Sequence, residues 1–285
     1  MEMNPFRLSF HELQEKAGVI RENIIRMLVA SGSGHSAGPL GMSDVFSALY
    51  FSVLSHDPEN PAWKDRDRLV LSCGHICPVL YASLAETGYF PTEELLTLRK
   101  FGSRLQGHPS RVDLPGIENS SGPLGQGISQ AVGMAIALRA DNSPAHVFCV
   151  MSDGEHNEGQ TWEALMSAGK FSLGNLTVIL DRNDIQIDGF THSVMPLEPL
   201  REKYESFGWY VMEIDGNDMS EILDALEGRV HIQDQPVCII AHTTPGKGVD
   251  FMENKFEWHG KTPGEEEAYK ALLELRSLRG QLEQD

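Results

Sequence analysis

The sequence predicts an α/β fold, one parallel sheet with helices on both faces, and three observations carry that expectation. Five short runs rich in Val, Ile and Leu occur at 68–72, 146–151, 176–180, 209–214 and 237–241. The segments between them show helical periodicity, as crossover connections do. The runs are apolar at nearly every position instead of alternating, which suits strands covered on both faces. At 285 residues with 41% hydrophobic and 22% charged positions, the composition is that of an ordinary globular enzyme. One domain over residues 1–285 is expected, with N-terminal helices at about 9–54, an α/β core at about 65–245 and a C-terminal helix at about 264–282.

Ser9 and Glu12 have capping-box spacing, and Leu13, Ala17, Ile20, Ile24 and Leu28 then recur at three- and four-residue steps, so the chain opens on an amphipathic helix. The Gly-rich stretch SGSGHSAGPLG at 31–41 breaks it before a second apolar helix at about 43–54. The five strands follow in order with their crossover helices, and a last helix runs over about 264–282. No internal repeat, low-complexity tract or interdomain linker interrupts the pattern.

Lys and Arg number 23 against 41 Asp and Glu, a formal charge of −18. Such a surface repels polyanions, so nucleic acid is excluded as a partner class. No run of about 18 apolar residues exists, and the N-terminal segment lacks a basic leader followed by an apolar core, so no membrane association and a cytoplasmic location are expected. Four cysteines, Cys73, Cys77, Cys149 and Cys238, are too few for a disulfide framework at this length and read as reduced thiols, three of them buried.

The chemistry concentrates in residues 150–189, VMSDGEHNEGQTWEALMSAGKFSLGNLTVILDRNDIQIDG, which read as strand, polar turn, helix, strand and second polar turn. Asp153 and Asn183 lie 30 positions apart, about one βαβ unit, so a right-handed crossover sets both at carboxyl ends of parallel strands, where ligands of open α/β sheets gather. A carboxylate, an amide oxygen and a backbone carbonyl near Ile185 form a hard oxygen set suited to Mg²⁺ or Ca²⁺, with water and phosphate filling the remaining positions. Gly154, without a Cβ, allows a diphosphate oxygen to approach the backbone near a helix start. Taken singly, Asp153 and Asn183 are also common strand-end turn or cap residues.

D-G-x-x-x-E-G at 153–159 followed by D-x-N at 181–183 resembles the thiamine diphosphate motif, and the fuller wording EGQTWEALMSAGKFSLGNLTVILDRNDIQIDG is similar to transketolases in particular. Five further segments agree in order: SGHSAGPLG with His35, SCGHICPVLYASL with His75, QGHPS with His108, SSGPLGQG with Gly122, Pro123 and Leu124, and FEWHGKTP with His259. The resemblance covers nearly the whole chain. It implies that Asp153, Asn183 and the Ile185 carbonyl bind the metal, and that His75, Gly154, Asn183 and His259 contact the diphosphate. It also implies that Gly122, Pro123 and Leu124 lie near the aminopyrimidine. Glu158 and Glu163 match a family glutamate network at the contact between subunits, although an exposed helix charge is an equal reading for Glu163. His35, His75, His108 and His259 line the substrate channel in this resemblance, His108 toward the ketol hydroxyl and His35 and His259 toward the hydroxyls and proton movements of donor cleavage and acceptor addition.

Eleven histidines occur, and an isolated one is more often structural than catalytic. His35, His75, His108 and His259 stand out because each sits beside Gly, where an imidazole stays open to a ligand and can exchange protons near neutrality. GPLGQG lacks the spacing and acidic follower of a dinucleotide fingerprint, and GKG at 246–248 lacks the Ser or Thr of a P-loop. Cys73, His75 and Cys77 are spaced for no common zinc site.

The resemblance further implies ketol transfer between sugar phosphates. It also implies that the glutamate activating the aminopyrimidine, and most substrate-phosphate contacts, belong to a second domain with no counterpart in this sequence. The polar tail after the last helix suggests a split transketolase with a C-terminal, pyrimidine-binding partner subunit, two copies of each chain making up the assembly. A 2-oxo acid dehydrogenase or 1-deoxyxylulose-phosphate synthase subunit is the competing enzyme reading, and QGHPS, SSGPLGQG and WHGK favour ketol transfer. A non-catalytic protein that kept the fold is the competing reading of a different class, opposed by the intact Asp153, Gly154, Asn183 and channel histidines.

Overall fold

The computed structural model describes residues 4–282. Its main sheet has five parallel strands, β1 (Arg68–Leu71), β2 (Val147–Ser152), β3 (Leu176–Arg182), β6 (Tyr210–Asp215) and β7 (Val237–His242), in the order β1-β2-β3-β7-β6. A small antiparallel hairpin, β4 (Ile185–Gln186) and β5 (Gly189–Phe190), follows β3. The expected fold class is thereby observed.

Helix α1 (Phe10–Ser31) starts where the capping box places it: the Ser9 N–H donates to Glu12 at 2.8 Å and the Glu12 N–H donates to the Ser9 hydroxyl. It ends at Gly32, whose φ of 65° is the left-handed turn glycine adopts freely. A short helix, α2 (Ala37–Gly41), forms inside the Gly-rich stretch expected as a break, and the expected second helix is α3 (Ser43–Ala48) continued by a widened turn at Leu49–Val53, in which the Leu54 N–H reaches back five residues to Leu49. The others are α4 (Cys77–Glu86), α5 (Gly127–Ala140), α6 (Gly159–Lys170), α7 (Thr191–Val194), α8 (Leu200–Ser206), α9 (Met219–Gly228) and α10 (Glu265–Leu282). None of the helices described is long and apolar enough to cross a membrane.

The strands split the core by alternation. Leu69, Leu71, Phe148, Val150, Ile179, Ile239 and Ala241 pack toward α1, α3, α4, α9 and α10. Val70, Cys149, Met151, Val178, Leu180, Cys238 and Ile240 pack toward α5, α6 and α8. This two-sided burial is why the strands read as unbroken apolar runs. At the sheet centre Ile179 is 1% exposed, and its truncation to Ala is worth about 2–5 kcal/mol. All four cysteines are free and buried, where three were expected.

The site depends on register. Ser152 of β2, Asp181 of β3 and Ala241 of β7 lie side by side, so residues just after them emerge together at the carboxyl edge. Ser72 leaves β1 at the same edge, leading into a tight turn at Gly74–Ile76 that carries His75.

Candidate functional site

A cleft of about 320 Å³ opens at this carboxyl edge. His35, His75, His108, Gly122, Leu124, Asp153, Gly154, Asn183, Ile185 and His259 line it together, joined by Ser152, Gln186, Ile187 and Asp188. Residues from positions 35 to 259 are thus gathered in one place. Pro123, Glu158 and Glu163 lie outside it: Pro123 is exposed beside the cleft wall, Glu158 is exposed at the start of α6, and Glu163 is exposed on that helix.

Three imidazoles form a triangle. The His35 and His75 rings are 5.0 Å apart, His75 and His259 5.2 Å, and His35 and His259 5.5 Å. Burial, with neighbouring positive groups at His259, Arg99 and His108, pushes the His35 pKa down to about 4. Burial alone brings His259 to about 4, and burial with its histidine neighbours holds His75 well below the usual range. All three are neutral at pH 7 in the free chain. His108 is the exposed member at the cleft mouth, lowered by partial burial and by Arg99.

Asp153, on the cleft wall, is 1% exposed and accepts four hydrogen bonds, one at Oδ1 and three at Oδ2. Its Oδ1 accepts the Gly154 N–H at 2.7 Å. Its Oδ2 accepts Arg182 Nη1 at 2.8 Å, the Asp184 N–H at 2.9 Å and the Thr191 hydroxyl at 3.2 Å. Burial raises its pKa and Arg182 opposes that rise. The Gly154 N–H, expected to be open to a ligand, is therefore committed to Asp153. Gly154 lines the cleft, and the nearest atoms a Cβ there would meet are those of Gln186, at an ordinary 3.6 Å.

Arg182 is a residue that the sequence reading misses. Its guanidinium, largely buried, also pairs with Asp184 and with Glu198 at 2.9 Å, making it the counter-charge of the acidic wall. The D-R-N-D wording at 181–184 holds the signal, since a cation at a buried strand end must be paired. Asp181, wholly buried and pushed up to about 7 mainly by that burial, is missed as well. So is Glu155, 0% exposed at a position the motif leaves open. The β4–β5 hairpin gives no signal because two-residue strands show no periodicity, although it supplies Ile185 and Gln186 to the cleft wall.

The residues present fit thiamine diphosphate and a divalent metal. The Nδ1 atoms of His35 and His259 are buried without a hydrogen-bond partner among the described residues, so each has hydrogen-bonding capacity left to satisfy. Asp153, Asn183 and the Ile185 carbonyl supply hard oxygen donors from adjoining segments. No group of three or more His, Cys, Asp or Glu among the described residues is placed to hold a metal, so a site here would rest on this mixed set.

The sequence profile described as "Transketolase, thiamine diphosphate binding domain" matches residues 14–276. The chain is 44% identical over 264 residues to the 6-deoxy-6-sulfo-D-fructose transketolase subunit SqwG of Clostridium sp. (strain MSTE9), covering 93% of this chain and 96% of that one. It is 39% identical to one of the subunits of the apulose-4-phosphate transketolase of Actinobacillus succinogenes, covering 96% of this chain and 99% of that one. The solved transketolase of Campylobacter jejuni superposes with a TM-score of 0.88 at 36% identity, over 96% of this chain and 43% of that larger one. The sulfofructose and apulose relatives, matched over nearly their whole length, are subunits, whereas the Campylobacter chain extends well beyond the shared part. The chain belongs to the transketolase family, as a thiamine diphosphate-binding N-terminal subunit of that transferase.

Proposed function

We propose that this subunit, completed by a partner carrying the pyrimidine-binding half, transfers a two-carbon ketol unit from a ketose phosphate, or a comparably anionic ketose, to an aldose phosphate. The observation that supports it best is the pairing, across one cleft, of the neutral histidine triangle with the Asp153–Asn183 wall. Asp153, Asn183 and the Ile185 carbonyl hold Mg²⁺ or Ca²⁺. His75, Gly154, Asn183 and His259 face the diphosphate, and Gly122, Pro123 and Leu124 border the aminopyrimidine. Thiamine diphosphate supplies the electron sink for cleaving and forming the carbon–carbon bond.

The chain's own residues bind, orient and move protons. His75 and His259, neutral in the free chain, regain basicity beside a diphosphate because a nearby anion favours the charged imidazole. They then donate hydrogen bonds to it. His35 and His259 present nitrogens to substrate hydroxyls and carry protons to and from them, and His108 at the mouth orients the ketol hydroxyl. Glu158 and Glu163, exposed here, meet the neighbouring subunit. A hetero-oligomer with two of each chain, working in the cytoplasm, completes the reading.

The relatives' names favour anionic sugars, a sulfonated fructose and apulose 4-phosphate. The test is ketol transfer by the purified chain with and without its partner chain, free of host transketolase. Activity only in the mixture is expected, with tighter thiamine diphosphate binding there by mass action. Substantial turnover by the lone chain would overturn the split-site reading.

A further inference from the structure

Glu155 occupies a position that the thiamine diphosphate motif leaves open, yet it is 0% exposed. Locally it completes a capping box with Ser152: its Oε2 accepts the Ser152 N–H at 2.9 Å, at the start of the turn Asp153–Asn157. That role uses only one oxygen. The other, Oε1, reaches across the sheet edge to accept the Ser72 hydroxyl at 2.5 Å and the Gly125 N–H at 2.8 Å. Ser72 Oγ in turn accepts the Gly127 N–H at 3.1 Å. One carboxylate therefore joins the end of β1, the end of β2 and the loop at 122–127.

Two glycines make this approach possible. Gly125 has a φ of 75°, and a Cβ there would lie 2.8 Å from Glu158 Cβ. A Cβ on Gly127 would lie 2.5 Å from the Ser72 backbone. Both are spaces that only glycine fills, and both deliver an N–H to the Ser72–Glu155 pair. Between Gly122 and Gly125 the loop carries Leu124 into the cleft wall, where its side chain is left 36% exposed.

We infer that Glu155 is a positioning residue for the ring end of the cofactor site, acting through the Gly125 N–H and Ser72 to hold the 122–127 loop, and Leu124 with it, against the bound ring system. The inference rests on the proposed placement of thiamine diphosphate in this cleft. Glu155 makes no hydrogen bond to the Asn183–Asp181 pair or to the histidine triangle at the diphosphate end. Its loss should therefore discriminate between the two ends of the cofactor.

The test is calorimetric titration of the full chain in complex with its partner subunit, using thiamine diphosphate with Mg²⁺ and, separately, inorganic pyrophosphate with Mg²⁺. Glu155→Gln keeps the shape, but three donors converge on the group and an amide must turn its own NH₂ against one of them. Thiamine diphosphate affinity is expected to fall on the order of tenfold or more, with pyrophosphate affinity nearly unchanged. Ser72→Ala, which removes one donor and leaves the carboxylate, should show the same selective loss at smaller size, and it stands in if Glu155→Gln does not fold. Equal losses for both ligands, or no loss in a folded variant, would overturn the inference. A wild-type complex that binds neither ligand would overturn the cleft assignment beneath it.

Discussion

The Asn183 side-chain amide donates to Asp181 Oδ2 at 2.8 Å, while the Asn183 side-chain oxygen accepts the Ile185 N–H at 3.1 Å. The two bonds fix which end of the amide faces which neighbour. Asp181 is in turn held by the Thr243 hydroxyl from the end of β7. The orientation of a candidate metal ligand just after β3 is thus set by a wholly buried carboxylate and a residue at the end of a neighbouring strand.

Asp181→Ala should therefore weaken metal-dependent thiamine diphosphate binding although Asp181 lies behind the cleft wall. Losing the bond that orients Asn183 corresponds to about 1–3 kcal/mol. Titration of the cofactor with Mg²⁺ into the assembled enzyme checks it, and unchanged affinity would show that Asn183 is held by other means.

Asp153→Ala should abolish metal-dependent cofactor binding and lower stability as well, since it leaves Arg182 with a partner missing and strands the Asp184 and Gly154 N–H groups. Asp153→Asn keeps the shape but not the charge and should fold more stably than the Ala variant while still binding metal poorly. Asn183→Ala should lose less affinity than Asp153→Ala, because an amide carries no net charge. Paired melting curves and calorimetry separate the two effects. Full affinity in Asp153→Ala would sink the metal assignment.

His108→Ala should reduce ketose turnover far more than cofactor affinity, because His108 is exposed at the mouth and outside the buried triangle. A lost positioned hydrogen bond corresponds to about 1–3 kcal/mol in the barrier. Steady-state kinetics at saturating cofactor decide it, and an equal fall in cofactor affinity would move His108 into the diphosphate shell.

The pH dependence of folding has a definite sign. His259 stands at about 4 in the folded chain against 6.5 as its ordinary value, so the unfolded chain binds more protons between them and folded stability falls as pH drops through that window. Asp181, raised from 3.8 to about 7, acts with the opposite sign, losing stability as pH rises through its own window. Comparing wild type with His259→Asn cancels the Asp181 contribution. On acidification from about pH 7.5 to about pH 5, the variant should gain roughly 1–2 kcal/mol on wild type after allowance for solvent screening. Thermal unfolding at both pH values reads this, and a constant gap would mean that His259 titrates normally.

Much of the fold is legible in the sequence because burial on both faces leaves a continuous apolar signature, and the capping box at Ser9 and Glu12 marks the first helix to the residue. Less legible are the widening of the second helix after Ala48 and the β4–β5 hairpin, which hydrogen bonds between residues five apart or across a two-residue turn decide without any repeating pattern. Arg182, Asp181 and Glu155 are visible as letters, but a charged residue next to a strand reads as a surface group until its neighbours are known.

By itself, the sequence determined the chemistry available: a hard-oxygen donor set at Asp153, Asn183 and Ile185, four glycine-flanked histidines, and the glycine loop at 122–127. Only the tertiary structure decided how these are poised. Register places Ser152, Asp181 and Ala241 side by side, and crossovers bring His35, His75 and His259 to within 5.5 Å of one another. Burial then makes the imidazoles neutral and commits the Gly154 N–H to Asp153. Desolvation and hydrogen-bond direction depend on atoms distant in the chain, and no local pattern of residues carries them.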